Sequence, residues 1–373
     1  MKILGIALVA FGLFLLQKHI YEKLWNRNLK VSVSFARQGM KEGAEGEVIE
    51  VIENRKRLPL SMLKVKFQTS RNLEFQDEKG SKTTDQYYRN DVFQIGGSEK
   101  ITRKLSFVAR KRGYYCINGI DIIGSDLFLS QEFVKSTSDE CFLYVYPKVY
   151  DNSEFQRSLQ QLNGEVISKR HLLEDPFEYR GIREYQPFDD MRSVNWKTTA
   201  RTGTLKVNQK NYTALQTIRI FLNTEDSGIL KKNEAVEASM QIVMGLAECF
   251  LAQGICVAVY SNGRDILTGE ALQIRSGAGV GQGAQIGKGL ARIDTSKVPF
   301  EFGDLFREMI LEEAQSTITV FVSPNGYSDF TDIMQECLDR QIAFVWYYAV
   351  EGKDEPEVSA GLREHVQFIH ISK

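Results

Sequence analysis

From Val31 to Pro147, apolar and polar positions alternate in short runs. They read VSVSF (31–35), EVIEVIE (47–53), LKVKFQT (63–69), DVFQI (91–95), ITRKLSFVA (101–109), YYCI (114–117) and CFLYVYP (141–147). Turn-rich stretches at 41–46, 79–84, 96–98, 112–113 and 118–119 separate them. A period of two buries one face of each run, so the pattern predicts an antiparallel sandwich of immunoglobulin-like type. Cys116 and Cys141 lack the spacing and the intervening Trp of a true immunoglobulin disulfide. Residues 151–174 are polar with scattered Leu, which predicts a linker or a short helix.

The period changes at Thr217. TIRIFL (217–222), CVAVYS (256–261), TITVFVS (317–323), IAFVWYYAV (342–350) and VQFIHI (366–371) are continuous apolar strands. Val236, Met240, Val243, Met244, Ala247 and Leu251 recur at helical spacing over 234–252, and Gly254 stops that helix. Further helices are predicted over 304–314 and 329–340, and a turn at Ser261-Asn262-Gly263. Apolar strands between amphipathic helices predict a parallel, doubly wound sheet. Its ligands would sit at the carboxyl ends of the strands, near 223–227, 261–263, 323–326 and 350–354.

Ile3–Leu16 is uncharged and apolar. At ~1.5 Å per residue it covers roughly 21 Å of a ~30 Å hydrocarbon core. Ile20, Tyr21, Leu24 and Trp25 extend the apolar face towards an interfacial aromatic pair, so a spanning helix is expected over 1–25. No small-residue cleavage site follows the run. Lys18, Lys23, Arg27 and Lys30 follow the helix and only Lys2 precedes it, which places the large C-terminal part in the cytoplasm.

A chain of 373 residues is long enough for two cores. Lys plus Arg (47) balances Asp plus Glu (48), which gives no pull towards nucleic acid. Five cysteines without a CxxC pair fit a reducing compartment rather than a disulfide framework or a zinc site. His19, His171, His365 and His370 have no spaced Cys, Asp or Glu that would complete a ligand set. The glycine-rich stretch 275–289 fails as a phosphate loop, because Gln282 stands where the first Gly is needed and Gly289 replaces the Ser or Thr. An exposed, mobile loop is expected there. No nucleophile elbow is present, and no enzyme activity is expected.

The densest stretch is 178–207. Arg180, Arg183, Arg192, Lys197 and Arg201 stand among Glu178, Glu184, Asp189 and Asp190, with Tyr179, Tyr185, Phe188 and Trp196 between them. The mixture predicts a structured connector with partly desolvated ion pairs, bracing two domains. Asp190 is expected to cap a short helix over 191–198 while Asp189 pairs with an arginine. Arg183, Tyr185, Asp189, Asp190, Arg192, Trp196 and Arg201 are the candidate partner-binding or inter-domain residues.

The segment REYQPFDDMRSVNWKTTARTGTL (183–205), followed by a strand ending near Asn223, resembles the signature of domain-of-unknown-function family 58. The likeness is concentrated in Arg183, Tyr185, Pro187, Asp189, Asp190, Arg192, Asn195, Trp196 and Arg201. The resemblance implies a membrane-anchored protein with a β-rich domain and a von Willebrand factor type A-like domain, partnered with a MoxR-type AAA+ ATPase. On that reading the anchor covers 1–25, the sandwich 31–148, the linker and signature 149–215, and the type A-like α/β domain 216–373. Such domains often bind Mg²⁺ through D-x-S-x-S, a loop Thr and a later Asp. Here the loop is degenerate: Asn223 and Glu225 replace the first Asp and Ser, beside Asp226 and Ser227, and Asn325 follows a later strand without the expected Asp. No metal site and no cofactor are expected. The implied role is a non-enzymatic adaptor for assembly or maturation of client proteins. The alternative is an Mg-dependent adhesion-type module for an acidic protein ligand.

Overall fold

A computed structural model of the chain describes residues 2–77, 81–83, 86–172, 179–187, 189–210, 217–226, 233–312, 317–352 and 354–371. Two compact units are present: Met1–Lys148 with Leu290–Arg292, and Val149–Gly289 with Ile293–Lys373.

The first unit opens on helix α1 (Lys2–Leu24), followed by strands β1 (Leu29–Phe35), β2 (Gly39–Lys41), β3 (Glu45–Asn54), β4 (Leu60–Ser70), β5 (Leu73–Phe75), β6 (Ser81–Thr83), β7 (Gln86–Ile95), β8 (Glu99–Ala109), β9 (Gly113–Ser125) and β10 (Glu132–Tyr146). They form a sheet of order β1-β3-β8-β5 and a sheet of order β2-β10-β9-β4-β7-β6. All pairings are antiparallel except that of β2 with β10. The alternation seen in sequence is the cause. In β7 every second residue is buried, and inward residues such as Val48, Ile52, Leu63, Val65 and Phe107 close one core.

The end of α1 belongs to that core. Tyr21 and Trp25 are buried among the sandwich residues. The Tyr21 hydroxyl donates to the Pro59 carbonyl at 3.0 Å, and the Trp25 ring stacks on Phe133 at 6.0 Å. Gly124 makes room for it, since a Cβ there would stand 2.5 Å from the indole. The pair expected at a membrane interface is therefore a plug in the sandwich. An apolar core offers two aromatic rings more burial than a half-wet interface does. Ile3–Leu16 keeps its apolar side chains exposed, apart from the half-buried Phe14.

The second unit begins with helix α2 (Ser153–Leu172), where sequence composition left a linker or a short helix open. Next come β11 (Tyr179–Glu184), a 3₁₀ turn at Met191–Ser193, α3 (Trp196–Thr202), β12 (Lys206–Lys210), β13 (Thr217–Leu222), α4 (Asn233–Ala252), β14 (Cys256–Arg264) and β15 (Ala271–Gly277). The chain continues through α5 (Val280–Ala291), α6 (Phe302–Leu311), β16 (Thr317–Ser323), α7 (Ser328–Asp339), β17 (Phe344–Glu351), a second 3₁₀ turn at Arg363–His365 and β18 (Val366–Ile371). The main sheet has the order β15-β14-β13-β16-β17-β18. It is parallel except for the antiparallel edge strand β15. Helix α4 is apolar nearly all round because it is buried. Helices α6 and α7 cover an aromatic cluster of Phe221, Phe302, Phe306, Phe321, Phe330 and Trp346.

Two further expectations change. Asn262 and Gly263 continue β14 instead of turning, because the Asn262 side chain is consumed in a buried network described below. The glycine-rich stretch is β15 and α5 rather than a mobile loop. Gln282, Ile286 and Leu290 fall every fourth residue on a buried face, and Gln282 Nε2 donates to the Val257 and Arg275 carbonyls at 2.8 Å each. Gly289 permits close packing, since a Cβ would stand 2.8 Å from both Leu272 and Ile274.

Candidate functional site

Two places in the second unit hold the candidate residues. The first is the module formed by β11, the 3₁₀ turn, α3 and β12. Strands β11 and β12 pair antiparallel, with Arg183 opposite Val207 and Glu184 opposite Lys206. Asn195 caps α3 through its side-chain oxygen, which accepts from the Thr198 N–H at 3.0 Å. Gly203 ends α3 at φ 72°, a left-handed conformation that favours glycine, and donates to the Thr199 carbonyl. The Asn195 amide also donates to Asn208 Oδ1 at 2.7 Å, tying the cap to β12.

Asp189 is the hinge of the loop between β11 and the 3₁₀ turn. Its carboxylate takes both forks of Arg183, at 2.6 and 2.5 Å, and the Gln186 N–H at 2.7 Å. The Arg183 guanidinium beside it holds its carboxyl below the usual carboxylate range. Asp190 caps the 3₁₀ turn, accepting from the Arg192 N–H at 3.0 Å. The single helix expected over 191–198 is split in two, because Val194 leaves the turn extended and bridges Val207. Lys206 pairs with Glu184 at 2.9 Å.

Trp196 is not packed between these pairs: it is 62% exposed, and Ile182, Met191 and Leu205 are also exposed. Arg192 and Arg201 face solvent, with no ion pair among the described residues, and Tyr185 is half-buried. Phe188 lies outside the described residues. Of the expected desolvated pairs, Arg183–Asp189 alone is bidentate among the described residues. The module is thus a small, internally bonded platform: Val194 and Val207 are buried in it, while Met191, Arg192, Trp196 and Arg201 are exposed.

The second place is the carboxyl end of the sheet, where the order reverses between β13 and β16. Asn223 and Asn262 are fully buried there. Asn223 Oδ1 accepts from the Glu225 N–H at 2.9 Å and from Asn262 Nδ2 at 2.8 Å. Asn262 Oδ1 accepts from the Thr224 N–H at 2.8 Å and its hydroxyl at 3.1 Å, and Asn262 Nδ2 also donates to the Phe300 carbonyl at 3.0 Å. Asn325 donates to the Glu225 carbonyl, the Ser323 hydroxyl donates to the Asn325 carbonyl, and Trp346 Nε1 donates to Ser323 Oγ at 3.0 Å.

Neutral amides and hydroxyls thus bind one another where a divalent cation would need carboxylates. The described residues do not fit such an ion: Asn223 Oδ1 is already shared between two donors, and Asn262 turns an NH₂ towards it. Among the described residues no group of three His, Cys, Asp or Glu has metal-holding geometry. Ser227 lies outside the described residues. Beside the network, Thr224, Glu225, Asp226, Asp294, Lys297 and Phe300 border a cleft of about 410 Å³.

His370 has a partner that spacing did not reveal. Its ring lies 3.1 Å from Glu154 on α2, and its backbone N–H donates to the same carboxylate at 3.0 Å. That backbone donor, with the ring, holds the Glu154 carboxyl below its ordinary range. The contact pins α2 to the edge strand β18 and is structural.

The fold defines a class: an apolar helix leading into an antiparallel β-sandwich, and a doubly wound α/β unit carrying the outward-facing module. The module lies within a recognised segment. Residues 181–255 match the family model described as Protein of unknown function DUF58. No curated protein is matched by the sequence. Among solved structures, the chain is similar to the CARDB domain of a Pyrococcus furiosus protein (12% identity, 32% of this chain and 93% of that one, TM-score 0.22). It is also similar to a non-cellulosomal cohesin from Archaeoglobus fulgidus (14%, 35% and 97%, 0.23) and to a cohesin module of a Clostridium perfringens glycoside hydrolase (11%, 32% and 97%, 0.23). Similarity at this level says nothing of function, and the sandwich rests on its own strand pairing.

Proposed function

We propose that this protein is a membrane-anchored, non-enzymatic adaptor that works with a MoxR-type AAA+ ATPase in the assembly or maturation of client proteins. The observation that carries the reading is the outward-facing module. Trp196 stands exposed on a platform whose shape is fixed by the Arg183–Asp189 pair and the Asn195 cap, with Arg192 and Arg201 free to meet a partner's carboxylates. Exposed Trp and Arg on a rigid support suit protein recognition better than chemistry, because among the described residues of the module no nucleophile is paired with a base.

The α/β unit is read as von Willebrand factor type A-like. Supporting this are the doubly wound order, with β13 and β16 central, and the antiparallel edge strand β15. The amide network at its switch point argues for a protein-binding surface without a resident Mg²⁺, and so against the adhesion-type alternative. Helix α1 is read as a single membrane span with the rest of the chain cytoplasmic, from its exposed apolar surface and the cationic residues that follow it.

Crosslinking from native membranes, with and without nucleotide, tests the adaptor reading. Recovery of an AAA+ ATPase with the parent chain, and its loss with Trp196→Ala at unchanged melting temperature, is the expected result. Recovery of no AAA+ ATPase in either nucleotide state would overturn it.

A further inference from the structure

The loop from β9 to β10 carries three consecutive apolar residues, Leu127, Phe128 and Leu129, that are 48%, 62% and 56% exposed. Such a tip on a soluble surface costs hydration and needs a reason. The loop is built to hold it out. Asp126 is fully buried, and its carboxylate accepts from the Ser130 N–H at 2.6 Å, the Ser130 hydroxyl at 2.5 Å and the Gln131 N–H at 3.1 Å. Leu129 sits at φ 56°, a left-handed conformation rare for a leucine, and donates to the Asp126 carbonyl at 3.2 Å. A fixed and strained backbone therefore presents the three side chains.

Their neighbour is the apolar helix. The Phe128 ring lies 5.9 Å from the Phe14 ring, and Gln17 Nε2 donates to Asp126 at 2.9 Å. Phe14 is inside the apolar run, three residues and so roughly 4–5 Å before Gln17, the polar residue that bounds it. With Tyr21 and Trp25 withdrawn into the sandwich, the run Ile3–Leu16 is the apolar surface left to the bilayer, and it is shorter than a ~30 Å core. A bilayer that covers this run up to Leu16 also covers Phe14, and with it the tip.

We infer that the β9–β10 tip is a second membrane contact: Leu127, Phe128 and Leu129 insert among the acyl chains beside α1 and seat the sandwich against the lipid surface. This rests on the reading of α1 as a membrane span. The occupant is lipid rather than protein because the tip is continuous with the lipid-facing side of the helix. Asp126 and Gln17 mark the depth at which polar groups return.

The test uses the full chain in phosphatidylcholine–phosphatidylglycerol vesicles. Phe128→Trp and Leu127→Trp each add an indole at the tip, with the parent measured in parallel to subtract the native tryptophans. The expected added emission is blue-shifted, quenched by lipids brominated on the acyl chains, and several-fold less sensitive to aqueous acrylamide than Trp196. An added emission that is red, open to acrylamide and untouched by brominated lipid in both variants overturns the inference while leaving the helix in place. Vesicle flotation separates the two readings, because a parent chain that fails to float overturns the anchor and the tip together.

Discussion

Glu50 sits in an environment far from its ordinary one. It is fully buried inside the sandwich on β3, and neither carboxyl oxygen has a hydrogen-bond partner among the described residues when it is ionised. Burial, reinforced by the nearby Asp91 carboxylate, pushes its pKa up to about 8 against the pull of Arg103 and Arg89. Asp91 is buried too, and is held by Arg89 at 2.6 Å and Arg103 at 2.8 Å. Because the folded pKa is raised, the native state keeps a proton that the unfolded chain has released. Stability from this group is complete below about pH 4.5 and is lost as pH rises towards 8, by at most about 1.4 kcal/mol per pH unit. Glu50→Gln should flatten that slope in urea titrations between pH 5 and 8, and a slope identical to the parent would refute the protonated state. The strand itself is legible in EVIEVIE, but the inward direction of Glu50 is not. Its neighbours Arg89, Asp91 and Arg103 are distant in sequence, and alternation alone cannot say which phase of VIEVIE is inside. Asn262 teaches the same lesson. Ser-Asn-Gly reads as a turn because those residues suit one locally, yet here the amide satisfies Thr224, Asn223 and Phe300 at once. Asn262→Ala should cost about 2–4 kcal/mol in denaturant unfolding, since it orphans the buried Thr224 N–H and takes one donor each from Asn223 Oδ1 and the Phe300 carbonyl. Mg²⁺ titration by calorimetry should give no heat in the parent or the variant.

At the scale of elements, regular strands and helices were readable wherever one period ran without interruption. TITVFVS coincides with β16, and the helices over 234–252 and 329–340 fall within a residue of α4 and α7. The failures lie where packing overrides propensity. Glycine weakens an isolated helix, so VGQGAQIGKGLA reads as loop, but it lets α5 approach Leu272 and Ile274 and is repaid by contact. Gly245 does the same within α4, where a Cβ would stand 2.9 Å from the Phe155 ring of α2. Gly245→Leu is therefore expected to destabilise the α/β unit by about 1–3 kcal/mol or more, despite leucine's better helix propensity. A gain in melting temperature would contradict that packing. In the signature module, Arg183→Ala should open the loop at residues 185–190 to protease while leaving the global melt nearly unchanged. Acid should do likewise, because Asp189's depressed carboxyl stabilises the loop above the usual carboxylate range and loses that role as pH falls through its folded value. Equal proteolysis of parent and variant would show that the pair does not shape the module. The charge and aromatics of this segment were plain in sequence. That its Trp would face outward was not, because composition tells a buried ring from a displayed one only when the neighbours are known.

For the whole molecule, two pattern regimes run along the chain, and the strand alternation of the first and the strand–helix alternation of the second are both present. What the pattern concealed was where the exposed apolar surface of the helix ends. Tyr21 and Trp25 look like a membrane-interface pair by type and position, and only the strands around them show that they complete the sandwich. Trp25→Ala should cost the sandwich about 3–5 kcal/mol. Gly124→Val should act in the same direction by expelling the ring. Both are measurable by thermal unfolding in detergent, and the intrinsic stability of the α/β unit should be untouched.

The burial of Tyr21 and Trp25 also decides how a soluble fragment has to be cut. A boundary drawn at the usual end of a spanning segment, near residue 30, would remove two large rings and the Tyr21 bond to Pro59. The product would carry an apolar cleft between its sheets and would be prone to self-association. A fragment begun near residue 18 keeps the plug while discarding the greasy part, and should remain monodisperse where the shorter one precipitates.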